Sequence, residues 1–218
     1  MKNVFKTLLT AAAATLALGA QAAWVPANSA FKNVGDLVKH AKANPGKLSY
    51  ASAGNGGAAH LTAELFKQGH GISIVHIPYK GGAPALTDLA GGTVDLMFSA
   101  VTASGPLVKG GRLKVLATAF DRRIESMPDV PTLAELGLKG FSAYEWNAVF
   151  APAGTPAEVV KRMDAEMREI LASPAMRERL AALGALPAAG GAKELGDFVR
   201  AETAKWAAVT KTAQIKID

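Results

Sequence analysis

Apolar and polar positions along this chain alternate between helical spacing and short apolar runs bounded by glycine. Val34, Leu37, Val38 and Ala41 recur at helical spacing, and the pattern stops at Asn44-Pro45-Gly46, which predicts a helix with a turn behind it. Leu48 to Ala51 reads as a short strand, Ser52 to Gly57 as a glycine-rich loop, and Ala58 to Gln68 as a helix with Leu61, Leu65 and Phe66 inward. Ser73 to Ile77 is the next strand. A second turn at Gly81-Gly82 opens a helix carrying Leu86 and Leu89 to Gly91-Gly92, and Val94 to Phe98 is a third strand. A short helix near Val101 to Val108 and a fourth strand from Leu113 to Ala119 continue the alternation.

Four strands separated by helical stretches imply right-handed crossovers and a largely parallel sheet with flanking helices, so the expected class is α/β. The remainder changes character. A strand over Tyr144 to Ala151 is followed by helices over Pro156 to Ala172, Pro174 to Leu183 and Ala192 to Thr212, with no internal repeat or low-complexity linker.

The first 22 residues read differently. Lys2 and Lys6 precede an apolar run from Leu8 to Leu18, and the small-residue site Ala20-Gln21-Ala22 follows, which is the pattern of a secretory leader cleaved after Ala22. The run is short for a membrane span, and no later stretch approaches about 18 uninterrupted apolar residues. The expected product is an exported protein, soluble outside the inner membrane and beginning its fold at residue 23.

Composition narrows the chemistry. With 218 residues, half of them hydrophobic and 19% charged, the chain has apolar material for one ordinary domain or two small lobes. Cysteine is absent, which removes disulfides and thiolate chemistry. The formal charge of +6 drops by two without Lys2 and Lys6, and the remaining basic residues are interspersed with Asp and Glu, which suits solubility and a mild attraction for anions. A nucleic-acid reader would carry a basic stripe with stacking aromatics, and aromatics are only 6% of this chain. No G-x-S-x-G elbow is present, and the four histidines show no metal-binding spacing, so no catalytic residue, metal or cofactor is expected.

In open α/β sheets, ligands bind beyond the carboxyl ends of the strands, where helix N-termini present unpaired backbone N–H groups. Those ends are Ser52-Ala53-Gly54-Asn55-Gly56-Gly57, Tyr79-Lys80-Gly81-Gly82, and Ser99. Glycine lets the main chain approach a ligand closely and aim several donors at one anionic group, for which a carboxylate is the natural guest. Gly56→Val is therefore expected to harm binding more than stability. His60, just inside the helix, is a candidate donor to the anion; Ser52 and Ser99 offer hydroxyls, Tyr79 a phenol and an apolar face, and Lys80 a charge. Each also has a structural role open to it: tight turns for the glycines, helix caps for the serines, packing for His60 and Tyr79, solvation for Lys80. Residues 54–59 also satisfy the G-x-G-x-x-A pattern of dinucleotide enzymes. However, the second strand ends in His76-Ile77-Pro78-Tyr79-Lys80, without the acid such a site needs for the ribose.

Lys47 to Gly57, with Tyr50-Ala51-Ser52-Ala53-Gly54-Asn55-Gly56 at its centre, His60 to Phe66, and Val75 to Pro84 together resemble the Bug-type receptors of tripartite tricarboxylate transporters. The likeness continues in order through Gly92 to Phe98, Pro128 to Thr132 and Phe150 to Pro156. The resemblance implies a type II-like periplasmic binding fold that closes on a small carboxylate and hands it to membrane permease subunits, without enzymatic activity. It also carries the Ser52 to Ala58 loop and the Tyr79 to Gly82 turn over as one lobe's ligand contacts, with Ser99 nearby, and makes Asp95 a structural strand residue. One departure from the family pattern concerns the other lobe. Members place a long block with a first glycine-rich loop before the segment resembling Val25 to Leu37, whereas here Trp24 follows the leader almost directly. The expected organisation is thus a leader over 1–22, an intact ligand-binding lobe over 23–142, and a strand with helices over 143–218 belonging to an incomplete first lobe. Those helices are expected to expose apolar faces, open to self-association. The alternative function is a remnant or interaction module without transport.

Overall fold

The computed structural model describes residues 16–182, 185–188 and 190–215. They divide into two compact units. One holds Ala20–Glu145 with the described residues from Ala208 onward; the other holds the described residues up to Gly19 with Trp146–Ala207.

In the first unit, helices and strands alternate as the hydrophobic pattern predicts: α1 (Val34–Ala43), β2 (Ser49–Ser52), α2 (Ala58–His70), β3 (Val75–Pro78), α3 (Gly82–Gly91), β4 (Leu96–Ala100), α4 (Val101–Lys109) and β5 (Leu113–Thr118). Ahead of them runs β1 (Leu16–Pro26). The strand order is β3-β2-β4-β1-β5. β2 pairs in parallel with both β3 and β4, while β1 is antiparallel to both β4 and β5. The sheet is therefore mixed and mostly parallel, with one reversed strand inserted near its edge.

The inserted strand crosses one boundary of the sequence-based outline. The boundary expected after Ala22 falls inside β1, where Ala20, Gln21, Ala22, Ala23, Trp24 and Val25 are all buried. A run of small and apolar residues suits both the end of a leader and a fully buried strand. The Leu8–Leu18 run lies, up to residue 15, outside the described residues.

Trp24 anchors this strand, with no exposed surface and its indole N–H donating to the Ser99 carbonyl at 3.2 Å. Around it, Tyr50, Phe66, Phe98, Leu37, Leu89 and Leu96 form the core. The buried face of α2 is not the one the leucines suggested. His60, Thr62, Ala63, Glu64 and Phe66 are buried, while Leu61 and Leu65 are half-buried. Asp95 holds the start of β2, accepting from the Ser49 amide at 2.8 Å and its hydroxyl at 3.0 Å.

In the second unit, α5 (Ala157–Ala172) and α6 (Pro174–Ala182) precede β7 (Ala185–Ala188), a strand absent from the sequence-based outline that pairs antiparallel with Leu16–Gly19. The helix predicted to reach Leu183 is described only to Ala182. Strand β6 (Tyr144–Asn147) is shorter than the predicted Tyr144 to Ala151 run, and α7 (Ala192–Thr212) matches its predicted bounds. Val149, Phe150 and, on α5, Val159, Met163 and Ile170 are exposed, beside a cavity of about 300 Å³ lined by residues that include Met167, Leu171, Met176 and Leu180. No described helix is long and apolar enough to cross a membrane.

Candidate functional site

Parallel pairing brings the ends of β2 and β3 level, Ser52 opposite Pro78, and β4 lies on the other side of β2 with Met97 opposite Ala51. Three helices start just past these ends: α2 after Gly57, α3 after Gly81 and α4 after Ala100. None of the three has a side-chain cap. By contrast α1, which follows no sheet strand end of this group, is capped by Asn33 accepting from the Asp36 amide at 2.9 Å. An uncapped helix start leaves backbone donors without a side-chain acceptor and adds the positive end of the helix dipole, an arrangement that suits an anion.

The glycine loop is shaped from below. Gly54 and Gly56 take positive φ of 143° and 71°, conformations that side-chain-bearing residues rarely adopt. The Ser52 hydroxyl, fully buried, accepts from the Gly54 amide at 3.2 Å and donates to the Gly54 carbonyl at 3.0 Å. It also lies 2.6 Å from His76 Nε2. The Gly56 amide donates to His60 Nδ1 at 3.1 Å. The second turn is tied to the first, because the Tyr79 amide donates to the Ser52 carbonyl at 2.9 Å and the Gly81 amide to the Ala53 carbonyl at 3.2 Å.

Underneath, the His60 and His76 rings stack at 3.8 Å between centroids, and Tyr50 stacks on His76 at 4.8 Å. The Tyr50 hydroxyl donates to Glu64, whose carboxylate also pairs with Lys67 at 2.5 Å and lies 4.0 Å from His60 Nε2. Burial lowers the pKa of His60, with Lys67 adding to the effect and Glu64 opposing it. Burial and the neighbouring His60 push His76 down to about 4. Both rings are therefore neutral at pH 7, and Nδ1 of His60 is free to accept.

The sequence-based candidates thus fall into two sets. Ala53, Asn55, Gly57, Ala58 and Lys80 are exposed at the mouth, with Gly54, Gly56, Gly81 and Gly82 half-exposed among them. Ser52, His60 and Ser99 are turned inward instead. His60, expected as a donor to an anion, accepts from the loop; Ser99 shares a 2.6 Å hydrogen bond with Ser104. Tyr79 is half-buried and its hydroxyl donates to Asp88 at 2.7 Å, which raises the phenol pKa. Sequence reasoning missed His76, Tyr50, Glu64 and Asp88 as supports of the site. The usable signal was His60 and Glu64 at a four-residue spacing on the same helix, immediately after the glycine loop. Among the described residues, no group of three His, Asp or Glu is placed to hold a metal ion.

A family model described as "Tripartite tricarboxylate transporter family receptor" matches residues 6–215. Protein BugT of Bordetella pertussis is 36% identical over 181 residues, 83% of this chain and 56% of that protein. The chain spans about half the length of the curated relatives it matches. Among solved structures, R. palustris Rpa4515 with adipate is 35% identical with a TM-score of 0.82, covering 94% of this chain and 69% of that one. MatC (Rpa3494) from Rhodopseudomonas palustris with bound malate is 27% identical with a TM-score of 0.74, covering 93% and 69%.

Proposed function

Because this chain belongs to the tripartite tricarboxylate transporter receptor family, of Bug type, we propose that it is an exported, periplasmic, cofactor-free solute receptor. It grips a small carboxylate at the loops that follow β2, β3 and β4 and delivers it to membrane permease subunits; it catalyses no reaction. The observation that carries this reading is the meeting of three helix starts without side-chain caps at neighbouring strand ends. Hydrogen bonds to a charged group contribute about 1.5–3 kcal/mol each, so two or three amides directed at one carboxylate suffice for useful affinity.

In this reading the amides of Asn55, Gly57, Ala58 and Gly82 hold the carboxylate, those of Gly54, Gly56 and Gly81 being spent on Ser52, His60 and Ala53 to shape the loops; Lys80 supplies longer-range attraction, and Tyr79 covers the apolar part of the solute. Ser52, His60 and Ser99 act from beneath. Similar proteins solved with adipate and with malate make dicarboxylates the first solutes to try. Calorimetric titration at pH 7.5 against mono- and dicarboxylates, adipate and malate included, tests it; absence of both heat and thermal shift across the panel would sink it.

A second reading also has a specific observation behind it. The exposed Val149, Phe150, Val159, Met163 and Ile170 favour an interaction module that associates with another copy or another protein. Light scattering after size exclusion discriminates the two, since a monomer that binds carboxylate has no need of this role.

A further inference from the structure

The ligand loop makes three hydrogen bonds to side chains beneath it, and those side chains lead to one stacked pair of imidazoles. The Gly56 amide ends on His60 Nδ1 at 3.1 Å. Both the Gly54 amide and the Gly54 carbonyl end on the Ser52 hydroxyl, which touches His76 Nε2 at 2.6 Å. We propose that His60 and His76 are positioning residues, which as a stacked pair hold the Gly54 and Gly56 amides inward and so fix the shape of the loop whose remaining amides grip the anion. This rests on the reading of the loop as a carboxylate site and adds to it which residues hold that site in shape.

The chemistry of the two nitrogens gives the mechanism. A neutral His60 with its proton on Nε2 offers a lone pair at Nδ1, and that lone pair is what the Gly56 N–H meets. A protonated ring has no lone pair; two N–H groups would then face each other and the loop would have to turn away. His76 acts one step further back, because the single proton of the Ser52 hydroxyl is shared between the Gly54 carbonyl and His76 Nε2. Protonating His76 makes Nε2 a donor only and commits the hydroxyl to the Gly54 carbonyl.

The groups facing the pair are Glu64 and Lys67 on α2, Tyr50 on β2, and each ring for the other; β4, packed against α2, brings no titratable side chain. Lys67 stands 5.4 Å above the Tyr50 ring with its charge already matched by Glu64, whose other partner is the Tyr50 hydroxyl. Little negative charge is left to stabilise an imidazolium, and two at a 3.8 Å stacking distance would repel.

The test uses the ligand-free full chain. Nuclear magnetic resonance follows the Gly54 and Gly56 amide signals together with the His60 and His76 ring signals from pH 8 downward. The expected result is that the two glycine amides shift with the same midpoint as a histidine ring, below the ordinary imidazole value. Glycine signals that stay fixed while the rings titrate would overturn the proposal.

Two variants add a readout that a merely structural role would not move. His60→Phe keeps a ring for stacking and removes the acceptor, and should weaken adipate binding at pH 7.5 by about tenfold while abolishing the pH-dependent shift of Gly56. His60→Gln restores an acceptor and should recover most of that affinity; equal binding by both variants would count against the proposal. If the unaltered chain binds no carboxylate yet its glycine amides follow the rings, the receptor reading fails and the positioning role stands. The titration of the unaltered chain needs no variant to fold.

Discussion

The Tyr50 hydroxyl donates to the Glu64 carboxylate at 2.6 Å, in the core directly below the glycine loop. Both residues are buried, and the same carboxylate oxygen neutralises Lys67. Burial, reinforced by Glu64, raises the Tyr50 pKa above its ordinary value, so the phenol keeps its proton and remains a donor at neutral pH.

Tyr50→Phe removes one of the two partners of Glu64, and urea unfolding should report a loss of about 1–2 kcal/mol. Glu64→Ala leaves the Lys67 ammonium and the Tyr50 hydroxyl without their acceptor in a poorly solvated place, and should cost about 3 kcal/mol or more. A reversed order would mean that Glu64 contributes less than its own desolvation costs.

Stability should fall as the medium is acidified below pH 6.5. The folded pKa of His76 is depressed to about 4, and that of His60 is lowered as well. Between those values and 6.5 the unfolded chain binds more protons than the folded one, so the contribution is complete above 6.5 and is lost as pH drops toward 4. The slope from His76 is at most about 1.4 kcal/mol per pH unit, and less because the ring keeps some contact with solvent. Urea midpoints at pH 7.5, 6.0 and 5.0 measure it, and His76→Phe should flatten the curve.

Gly82 and Gly56 separate binding from folding. Gly82 begins α3 at ordinary negative φ, and a Cβ there meets nothing within 4 Å. Gly82→Ala should leave stability within about 0.5 kcal/mol of the original or raise it, while the new methyl obstructs approach to the helix start and weakens carboxylate binding. For Gly56→Val the backbone adds a stability cost to the binding loss expected from the sequence. At φ of 71° a β-branched residue is strained, so unfolding and calorimetry should register losses in both stability and affinity.

Strand β1 makes a prediction about chain length. A chain starting at Ala23 keeps Trp24 but loses the pairs Gln21↔Ala100 and Ala22↔Thr118 and the burial of Ala20 to Ala22. It should unfold at lower urea than the chain starting at Met1, with a difference of about 2–4 kcal/mol. Equal midpoints would show that the first part of β1 adds nothing.

Local pattern was enough for the order of α1 to α5, for the glycine loops and for the placement of Gly54, Gly56, Gly81 and Gly82 at the mouths of adjacent strands. Helical spacing, short apolar runs and glycine turns are properties of ten or fifteen successive residues, and each of these elements is decided on that scale. What depended on the tertiary structure is non-local. The segment Leu16–Pro26 has one apolar pattern and two uses, and its place between β4 and β5 comes from pairing with residues more than seventy positions away. His60 and His76 meet because β2 and β3 run parallel in a register that sets Tyr50 opposite His76, which no window along the chain contains. Glu64 lies in the core because Tyr50 and Lys67 satisfy its charge there. Backbone conformation follows near neighbours in sequence, whereas the burial of a polar side chain is settled by the partners that folding brings to it.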